Sequence, residues 1–405
     1  MIKFLIIAQD LRVSGTSEGI VSRSFLSKLR KSFPDDQIDV LYLKCEDSND
    51  DLHLLPVDKI ETHILNLKIP FLTKWLNKLY WRLLHVSLKE RYIHKVYTSY
   101  ISKIDYQSYD HIFIRSSGLE YETILATKHL PILKHAIINF HDPYPLFWYS
   151  GGKNVISNLE LFRLKSMISV VSVAKKSITP SSLLSHDMQL LFNSDQIFFT
   201  LPHQFDKSVF DFSDNSKVLP KSKKLVISYH GAIMFGRDID ILLDCYQELI
   251  NSHLIYKENT EFVLRLRGKD NERLRLKYSN CDNIIIFDTL NFSNSCYEQT
   301  HEADIYIILE NGPIYSNVLV GKAPFLASLK RPILCICPEK SEMRVLVKDK
   351  KYIASYNNKE EIKLKLKNLI EDRFNSNDLV YPFGNYFSDE NFKEMLDMIL
   401  DEDYD

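Results

Sequence analysis

The feature that most constrains this chain is a repeated alternation of short apolar segments with amphipathic helical segments. The apolar segments are continuous runs of isoleucine, leucine, valine and phenylalanine rather than apolar residues alternating with polar ones. Continuous apolar strands are typical of parallel sheets that helices cover on both faces. The alternation therefore predicts an α/β protein built on doubly wound parallel sheets.

The alternation occurs in two sets. In the first set we predict strands at Ile2–Ala8, Asp39–Leu43, Ile60–Leu67, His111–Ser116, Ala136–His141, Ser177–Pro180 and Ile197–Leu201. The segment 210–224 is polar, with one proline and four lysines, and is typical of a linker. The alternation then restarts. We predict two Rossmann-like domains, at 1–205 and 206–385, and a C-terminal helix within 386–405 that packs back towards the first.

Composition and charge exclude several function classes. The 405 residues are 45% hydrophobic and 26% charged, which is typical of a globular protein. A net charge of −2 and the lack of a nucleic-acid motif argue against nucleic acid as a partner. Cys335 and Cys337 lie in an apolar run without the second pair of a zinc site, so we predict no metal. No signal peptide or spanning segment is indicated, which predicts a cytoplasmic protein.

Two segments of the second domain carry candidate phosphate-binding residues. In YHGAIMFGRDIDILL (229–243), Gly231 allows close approach to the backbone and Arg237 could hold a phosphate at the start of a helix. In 310–334, Glu310 ends a strand, and Ser316 and Lys322 flank a turn before a helix at Lys322–Lys330. A lysine at a helix start is unfavourable unless an anion lies there. The alternative is that both cations are simply solvated.

Two further segments of the first domain point to ligand binding. In INFHDPYPLFWY, a strand runs into His141 and Asp142, and doubly wound domains bind ligands at the carboxyl ends of their strands. A structural histidine is the alternative. The first strand is followed by a loop with Gly15, but this loop lacks both the dinucleotide fingerprint and the Walker lysine motif, so we predict no nucleotide cofactor of those classes.

The segment Lys68–Lys103 combines eight lysines and arginines with interleaved aromatic and leucine residues, against one glutamate. A basic amphipathic stretch with aromatic residues is typical of proteins that lie on an anionic membrane surface. The alternative is a helix whose apolar face packs in the core. We favour the membrane surface, which predicts peripheral attachment to the inner face of the cell membrane.

Taken in order, these segments resemble the GT-B glycosyltransferases, specifically the bacterial family 4 (group 1) enzymes. The resemblance is carried by YDHIFIRSSG with INFHDPYP, by KKSITPSSLL, by ISYHGAIMFGRDIDILL, by HEADIYIILE and by SNVLVGKAPFLASLKRPIL. It covers nearly the whole chain. It implies two Rossmann-like domains that face each other across a cleft, with a nucleotide-sugar donor in the second domain and a glycan or lipid-linked acceptor in the first.

The resemblance also implies roles for individual residues. Arg237 and Lys322 match the family's diphosphate-binding cations, which makes a metal unnecessary, and the donor is a co-substrate rather than a cofactor. His141, beside Asp142, matches the active-site histidine that contacts the transferred sugar. Gly15 matches the loop that approaches the donor phosphates. Transfer in this family retains the anomeric configuration, and the acceptor is expected to be a surface polysaccharide or its lipid-linked precursor.

The chain departs from the family pattern at two donor-site positions. Phe325 stands where the family has the second of two glutamates, which binds the ribose. Lys269 stands where many members have a second glycine after LRG, and we count it among the expected donor-binding residues. Two other functions therefore stay open. One is a non-catalytic GT-B partner or scaffold protein, and the other is a GT-B sugar epimerase.

Overall fold

The computed structural model describes residues 1–118, 120–147, 155–192, 197–234, 236–268, 270–312 and 314–401. The chain forms two compact units. Unit 1 contains the described residues of 1–209 and of 389–405, and unit 2 contains those of 210–388. The boundary after residue 209 and the return of the last helix to unit 1 differ by a few residues from the domain limits predicted at 205 and 386.

Unit 1 is built on a seven-stranded sheet with the order β3-β2-β1-β4-β5-β6-β7, in which every neighbouring pair is parallel. Its strands are β1 (Lys3–Ala8), β2 (Gln37–Lys44), β3 (Lys59–Ile64), β4 (His111–Arg115), β5 (Ala136–Asn139), β6 (Lys176–Thr179) and β7 (Phe198–Thr200). The central strands are buried because helices cover both faces. This confirms the predicted parallel α/β architecture of the first domain.

The helices of unit 1 that precede the second unit are α1 (Ser17–Ser32), α2 (Phe71–Leu84), α3 (Leu88–Ile101), α4 (Glu122–Leu125), α5 (Asn158–Val171) and α6 (Ser182–Phe192). Local chemistry fixes where they begin. Thr16 caps α1 by accepting a hydrogen bond from the Gly19 amide, and Ser157 caps α5 in a capping box with Glu160.

The basic segment that the sequence treats as one stretch forms two helices with different surroundings. His85 adopts a left-handed conformation (φ 50°) and separates α2 from α3. Helix α3 buries Tyr97 and Ile101 in the core of unit 1. Helix α2 buries none of its side chains. The core-packing alternative therefore describes α3, whereas α2 presents its apolar side chains to solvent.

Unit 2 is built on a six-stranded sheet with the order β10-β9-β8-β11-β13-β15, again with parallel neighbours, and on the small pair β12-β14. Its strands are β8 (Leu225–Ala232), β9 (Thr260–Arg267), β10 (Ile284–Asp288), β11 (Ile305–Leu309), β12 (Tyr315–Ser316), β13 (Ile333–Cys337), β14 (Lys340–Ser341) and β15 (Ile353–Ser355). Its helices are α7 (Asp240–Ser252), α8 (Leu254–Asn259), α9 (Asp270–Lys277), α10 (Phe292–His301), α11 (Ala323–Ser328), α12 (Glu342–Leu346) and α13 (Lys359–Asn375).

The last helix, α14 (Asp389–Leu400), returns to unit 1. Phe392 packs edge-on against Phe25 of α1, with 6.0 Å between ring centroids. The ammonium of Lys28 on α1 lies 2.8 Å from the Asp389 carboxylate. Within the described ranges, no helix combines the length and the hydropathy that crossing a membrane would require.

Each sheet reverses its strand order at one place, between β1 and β4 in unit 1 and between β8 and β11 in unit 2. Ligands of open parallel sheets bind beyond the carboxyl ends of the strands at such a reversal. The topology therefore predicts ligand-binding residues after β1 and β4 in unit 1 and after β8 and β11 in unit 2.

Candidate functional site

In unit 2, Lys322 lies at the carboxyl end of β8. Its ammonium donates a hydrogen bond to the carbonyl oxygen of His230 (2.9 Å) and lies 4.0 Å from the centroid of the Tyr229 ring. The main chain passes close by at Gly231, where a Cβ would meet the Tyr229 hydroxyl at 3.1 Å and the Lys322 Nζ at 3.7 Å. A glycine at this position therefore leaves space beside the ammonium.

Arg237 lies on the loop that follows the same strand. Its Nε donates to Oδ1 of Asn311 (3.0 Å), and its Nη1 donates to the carbonyl oxygen of Ala232 (3.1 Å). Asn311 follows β11 by two residues, so the side chain bridges the two strands at which the order reverses. The sequence-predicted cations Arg237 and Lys322 thus lie on the same edge of the same sheet.

Neutral groups alone accept hydrogen bonds from this pair of cations in the described part of the chain: two main-chain carbonyls and one amide. Burial, and then the neighbouring Arg237 charge, lower the pKa of Lys322 well below its ordinary value. Two cations held together without a carboxylate repel each other. An anion bound here would relieve that repulsion and restore the charge on Lys322.

His230, whose carbonyl oxygen accepts the hydrogen bond from Lys322, is itself fixed by its side chain. Its Nδ1 lies 2.8 Å from the Ser295 hydroxyl, and its Nε2 lies 3.1 Å from the Glu298 carboxylate. Arg265 pairs with that same carboxylate. Burial lowers the pKa of His230. This buried network fixes the end of β8 and so keeps the His230 carbonyl oxygen in position for Lys322.

The structure places Glu310 and Ser316, both predicted to bind the donor, inside unit 2 rather than at its surface. Glu310 is 0% exposed, and its Oε1 accepts a hydrogen bond from the amide of Met343 at 3.3 Å. Burial raises its pKa to about 7. Ser316 is 2% exposed and lies in β12, paired with Ser341 of β14. Both side chains are therefore buried, and their role in donor binding stays a prediction.

The other two donor-site positions give different outcomes. Lys269 lies outside the described residues. Phe325 lies in α11 and is 7% exposed. Helix α11 begins at Ala323, so the predicted helix Lys322–Lys330 is shorter at both ends. Lys322 precedes the helix and folds back over Tyr229, so its position reflects the strand end rather than the helix dipole.

In unit 1, His141 follows β5, which ends two residues earlier than predicted, at Asn139. Its ring packs on the ring of His203, which follows β7, with 4.3 Å between centroids. Burial, and then the charge of Arg115, lower the pKa of His141 to about 3. The same causes, together with His141, lower the pKa of His203. Both imidazoles are therefore neutral at physiological pH and can donate and accept hydrogen bonds.

Asp142 lies beside His141 and is fixed through its main chain. The Tyr121 hydroxyl accepts a hydrogen bond from the Asp142 amide (2.8 Å) and donates one to the Asp142 carbonyl oxygen (2.5 Å). Burial, followed by the charge of Glu18, raises the pKa of Asp142 to about 8. The Asp142 carboxyl is therefore protonated at neutral pH and can act as a hydrogen-bond donor.

Glu18, His141 and Asp142 each place one potential ligand atom within 4.8 Å of the others, a spacing that could hold a metal ion. The imidazole is in the neutral form that a metal requires. However, a cation would have to displace the proton on Asp142, whose pKa is raised to about 8. The sequence predicted no metal here, and the arrangement is suited equally to sharing a proton between the two carboxyl groups.

Gly15 lies on the exposed loop between β1 and α1 and adopts a left-handed conformation (φ +92°). No atom of the described chain lies within 4 Å of the position that a Cβ would take. Gly15 is therefore required for the backbone conformation and not for close packing. The close approach occurs at Gly19, where a Cβ would lie 2.5 Å from the carbonyl oxygen of Arg12.

The sequence analysis missed the residues that surround the two predicted centres: Tyr229 and Asn311 in unit 2, and Glu18, Arg115 and His203 in unit 1. The rule used for His141, a polar residue at the carboxyl end of a predicted strand, also selects Arg115 and Asn311, whereas His203 comes two residues after the predicted strand Ile197–Leu201. The ring contacts of Tyr229 and His203 depend on packing and carry no signal in the sequence.

Comparison with known proteins identifies the fold through solved structures. No protein-family model matches the chain, and no curated protein sequence matches it. Among solved structures, a glycosyltransferase from Rickettsia africae is 13% identical and covers 98% of this chain and 93% of its own, with a TM-score of 0.58. A mutant of S. aureus TarM in complex with fondaparinux, alpha-GlcNAc-glycerol and UDP is 10% identical over 99% and 100%, with a TM-score of 0.61.

The structure of a UDP-GlcNAc 2-epimerase from Neisseria meningitidis bound to UDP-GlcNAc is about as similar to this chain as those two structures are. It is 13% identical and covers 98% of this chain and 99% of its own, with a TM-score of 0.55. Identities this low establish architecture and not activity. The chain therefore has the glycosyltransferase-like GT-B fold, with two Rossmann-like domains each built on a parallel sheet.

Proposed function

We propose that this protein is a retaining glycosyltransferase that moves a sugar from a nucleotide diphosphate donor to a lipid-linked or surface-polysaccharide acceptor. One observation carries the proposal. Lys322 and Arg237 lie together at the strand-order reversal of unit 2, beside Gly231, and hydrogen-bond only to neutral groups among the described residues. A diphosphate is the anion that such a pair suits, and UDP is present in the TarM complex.

The two cations would act most strongly as the sugar leaves the diphosphate. Negative charge grows on the leaving phosphate in that step, and fixed cations in a partly buried site stabilise it more than water can. Arg237 is held by Asn311, and Lys322 is held over Tyr229, so neither needs to reorganise. We propose that these residues do the work of a metal ion, so that activity persists in EDTA.

His141 would act on the transferred sugar. Because its pKa is lowered to about 3, it is a neutral hydrogen-bonding group and not a cation or a general acid. Asp142, with a pKa raised to about 8, carries a proton that it can donate in a hydrogen bond. A pair of neutral groups suits sugar hydroxyls. In this proposal the leaving phosphate, rather than a side chain, helps to accept the proton of the acceptor.

Nucleotide binding is the direct test. UDP, GDP and ADP are titrated into the full-length protein by calorimetry, and the matching nucleotide sugars are followed for slow hydrolysis by release of the nucleoside diphosphate. We expect one nucleoside diphosphate to bind and its sugar to be hydrolysed slowly, since water replaces the missing acceptor. Lys257→Ala, which removes an exposed cation elsewhere in unit 2, is the matched control for Lys322→Ala. Failure of every nucleotide to bind would refute the donor site.

The same experiment separates the two alternatives. Likeness to a UDP-GlcNAc 2-epimerase favours the epimerase as the second candidate. An epimerase given UDP-GlcNAc alone changes the sugar, whereas a transferase without acceptor only releases UDP. Analysis of the sugar product by NMR therefore distinguishes them. A scaffold protein, for which Phe325 in place of a glutamate is the main argument, would neither bind nor turn over any nucleotide sugar.

We further propose that α2 attaches unit 1 to an anionic membrane at the cytoplasmic leaflet, where a lipid-linked acceptor lies. Seven of its apolar side chains are exposed: Phe71, Leu72, Trp75, Leu79, Tyr80, Leu83 and Leu84. Lys74, Lys78 and Arg82 are also exposed and recur every fourth residue, which places them in a row beside the apolar face. Apolar area bordered by cations is complementary to an anionic bilayer. Each cation near such a surface contributes about 1 kcal/mol.

Sedimentation with vesicles tests this attachment. We expect binding to vesicles that contain phosphatidylglycerol, weaker binding as salt rises, and a sharp loss when Lys74, Lys78 and Arg82 become glutamate. Charge reversal of Lys59, Lys134 and Lys207, exposed elsewhere on unit 1, is the control. Equal binding to phosphatidylcholine vesicles, or none at low salt, would refute the proposal. Association of the protein with itself in gel filtration, abolished by Trp75→Ser, would assign the apolar face to a second copy.

A further inference from the structure

Unit 1 contains a cavity of about 800 Å³ on its flank. Helix α3 forms one wall and α5 forms the other, and Leu125 and Ala126 lie between them. The cavity shares no residue with the candidate site described above. The proposed transfer chemistry does not use it.

The lining of this cavity is strongly basic. Arg91 and Lys95 come from α3, Lys165 comes from α5, and Lys128 follows α4. Three histidines also line it, namely His85, His94 and His129. The described lining contains no aspartate or glutamate, and none of the four cations forms an ion pair with a described carboxylate. Nearby Glu90 is already neutralised by Arg163, whose Nη2 lies 3.0 Å from it.

Of the basic groups in this lining, Arg91, Lys95 and Lys165 are exposed, whereas Lys128 and His94 are half-buried. Burial, and then the charges of Arg91 and Lys165, lower the pKa of Lys128. The Nε2 of His94 is buried without a hydrogen-bond partner in the described structure. Burial lowers the pKa of this histidine to about 4, so it is neutral and open to a hydrogen bond. An anion in the cavity would compensate the cations and could satisfy His94.

The rim of the cavity indicates what kind of anion would bind there. Leu84, His85 and Val86, at the end of α2, form part of the lining. The opening therefore begins where the exposed apolar face of α2 ends. On the other wall, Leu161 of α5 lines the cavity and is 50% exposed. A molecule with an anionic head and apolar chains would match the basic lining and the apolar rim together.

We propose that the cavity between α3 and α5 binds the phosphate group of an anionic lipid. The phosphate lies among Arg91, Lys95, Lys128 and Lys165, and the acyl or prenyl chains leave past Leu84, at the end of α2. This inference rests on the proposed membrane attachment for its biological setting. The binding itself can be measured without a membrane, so the two proposals can fail separately.

The test uses the full-length protein and a lipid that is soluble as single molecules. Dihexanoyl phosphatidic acid is titrated by calorimetry into the wild type and into Lys128→Ala/Lys165→Ala. We expect the double variant to weaken binding by about tenfold or more, because two cations near the phosphate are lost. Lys134→Ala/Lys207→Ala removes the same charge from exposed positions outside the cavity and should change the affinity less than twofold. Lys95→Ala, at an exposed position, gives a second variant in case the double one unfolds.

Two further ligands identify the occupant. Dihexanoyl phosphatidylcholine should bind much more weakly. In Lys322→Ala, which removes the proposed diphosphate site of unit 2, pyrophosphate should bind more weakly than phosphatidic acid because it has no apolar chains. Equal binding of phosphatidylcholine, tighter binding of pyrophosphate, or unchanged affinity in the lysine variants would each overturn the proposal. Trp75→Ser/Leu79→Ser on α2 should abolish vesicle binding yet keep the soluble lipid bound, which separates loss of the membrane surface from loss of the phosphate site.

Discussion

The strand ends of the two sheets are similar in their acidic groups and differ in their basic groups. Each places an acid after a strand, Asp142 three residues after β5 in unit 1 and Glu310 directly after β11 in unit 2, and burial raises the pKa of each, to about 8 and about 7. The basic groups differ. Unit 1 places the neutral rings of His141 and His203 at its edge, whereas unit 2 places the cation Arg237 beside Lys322. One edge is thus suited to neutral hydroxyl groups, and the other is suited to an anion.

The largest expected effect tests the cationic edge. Lys322→Ala should weaken binding of the nucleoside diphosphate by about 10- to 100-fold, because a charge-assisted hydrogen bond contributes more than a neutral one. Calorimetry at constant ionic strength measures it. The fold should survive, since among the described residues the ammonium contacts only a carbonyl and the face of a ring.

The pH dependence gives the control for this variant. Because burial and Arg237 lower the pKa of Lys322, raising the pH should neutralise the free ammonium and weaken diphosphate binding in the wild type. Lys322→Ala should remove most of that dependence, and Lys257→Ala should preserve it. Wild-type affinity in Lys322→Ala would show that this edge is not the anion site.

The next effect tests the neutral edge. His141→Ala should lower turnover by about 10- to 100-fold and change donor affinity only a few-fold, because a hydrogen bond to the sugar matters mainly in the transition state. Replacement of His135, which is exposed, is the matched control. If donor affinity falls in step with turnover, His141 binds the ground state, and the division of labour between the two edges is wrong.

A smaller effect is expected from Gly231→Ala. The new methyl group would meet the Tyr229 hydroxyl at 3.1 Å and press towards Lys322, so diphosphate affinity should fall by about three- to tenfold. Tyr229→Phe removes the nearest atom, and combining it with Gly231→Ala should recover part of the loss. If Gly231→Ala binds the diphosphate normally, the glycine does not serve the space beside Lys322.

The smallest effect compares the two acids. An acid whose pKa is raised on folding keeps its proton while the unfolded chain loses it, so stability falls as pH rises from the ordinary value, about 4, to the folded value. The stability advantage of Asp142→Asn over the wild type should therefore grow with pH up to about 8 and then stay constant. That of Glu310→Gln should stop growing at about pH 7. We expect a larger gain in melting temperature for Asp142→Asn than for Glu310→Gln, because the pKa of Asp142 is raised further. Gains that do not depend on pH would mean that neither acid is protonated in the folded chain.

Much of the fold could be predicted because it follows from local pattern. Continuous apolar runs mark the buried strands, and strand β4, expected at His111–Ser116, spans His111–Arg115. The split of the basic segment into α2 and α3 could not be predicted, because it depends on a left-handed His85, a conformation that the residue type does not indicate. The fate of the two helices also depends on tertiary contacts, since Tyr97 finds a core and Trp75 does not.

The candidate site was predictable only where the sequence order brings residues to a strand end. His141 and Gly231 follow that rule. The surroundings that give them chemistry come from distant parts of the chain: His203 packs on His141 from 62 residues away, and Lys322 reaches Tyr229 from 93 residues away. The burial of Glu310 could not be read from the sequence either, because an acid after a strand can point outwards or into the loop packing behind it.

The return of α14 to unit 1 has a consequence for biosynthesis. The ribosome must translate all of unit 2 before the helix that covers α1 leaves the exit tunnel, so unit 1 cannot finish folding while its own first 209 residues are being made. A nascent chain that stops at residue 388 would leave Phe25 without Phe392 and the buried Lys28 without Asp389. Chains that stop before α14 should therefore expose apolar surface of unit 1 and be captured by chaperones and proteases, so that folding of unit 1 depends on the synthesis of unit 2.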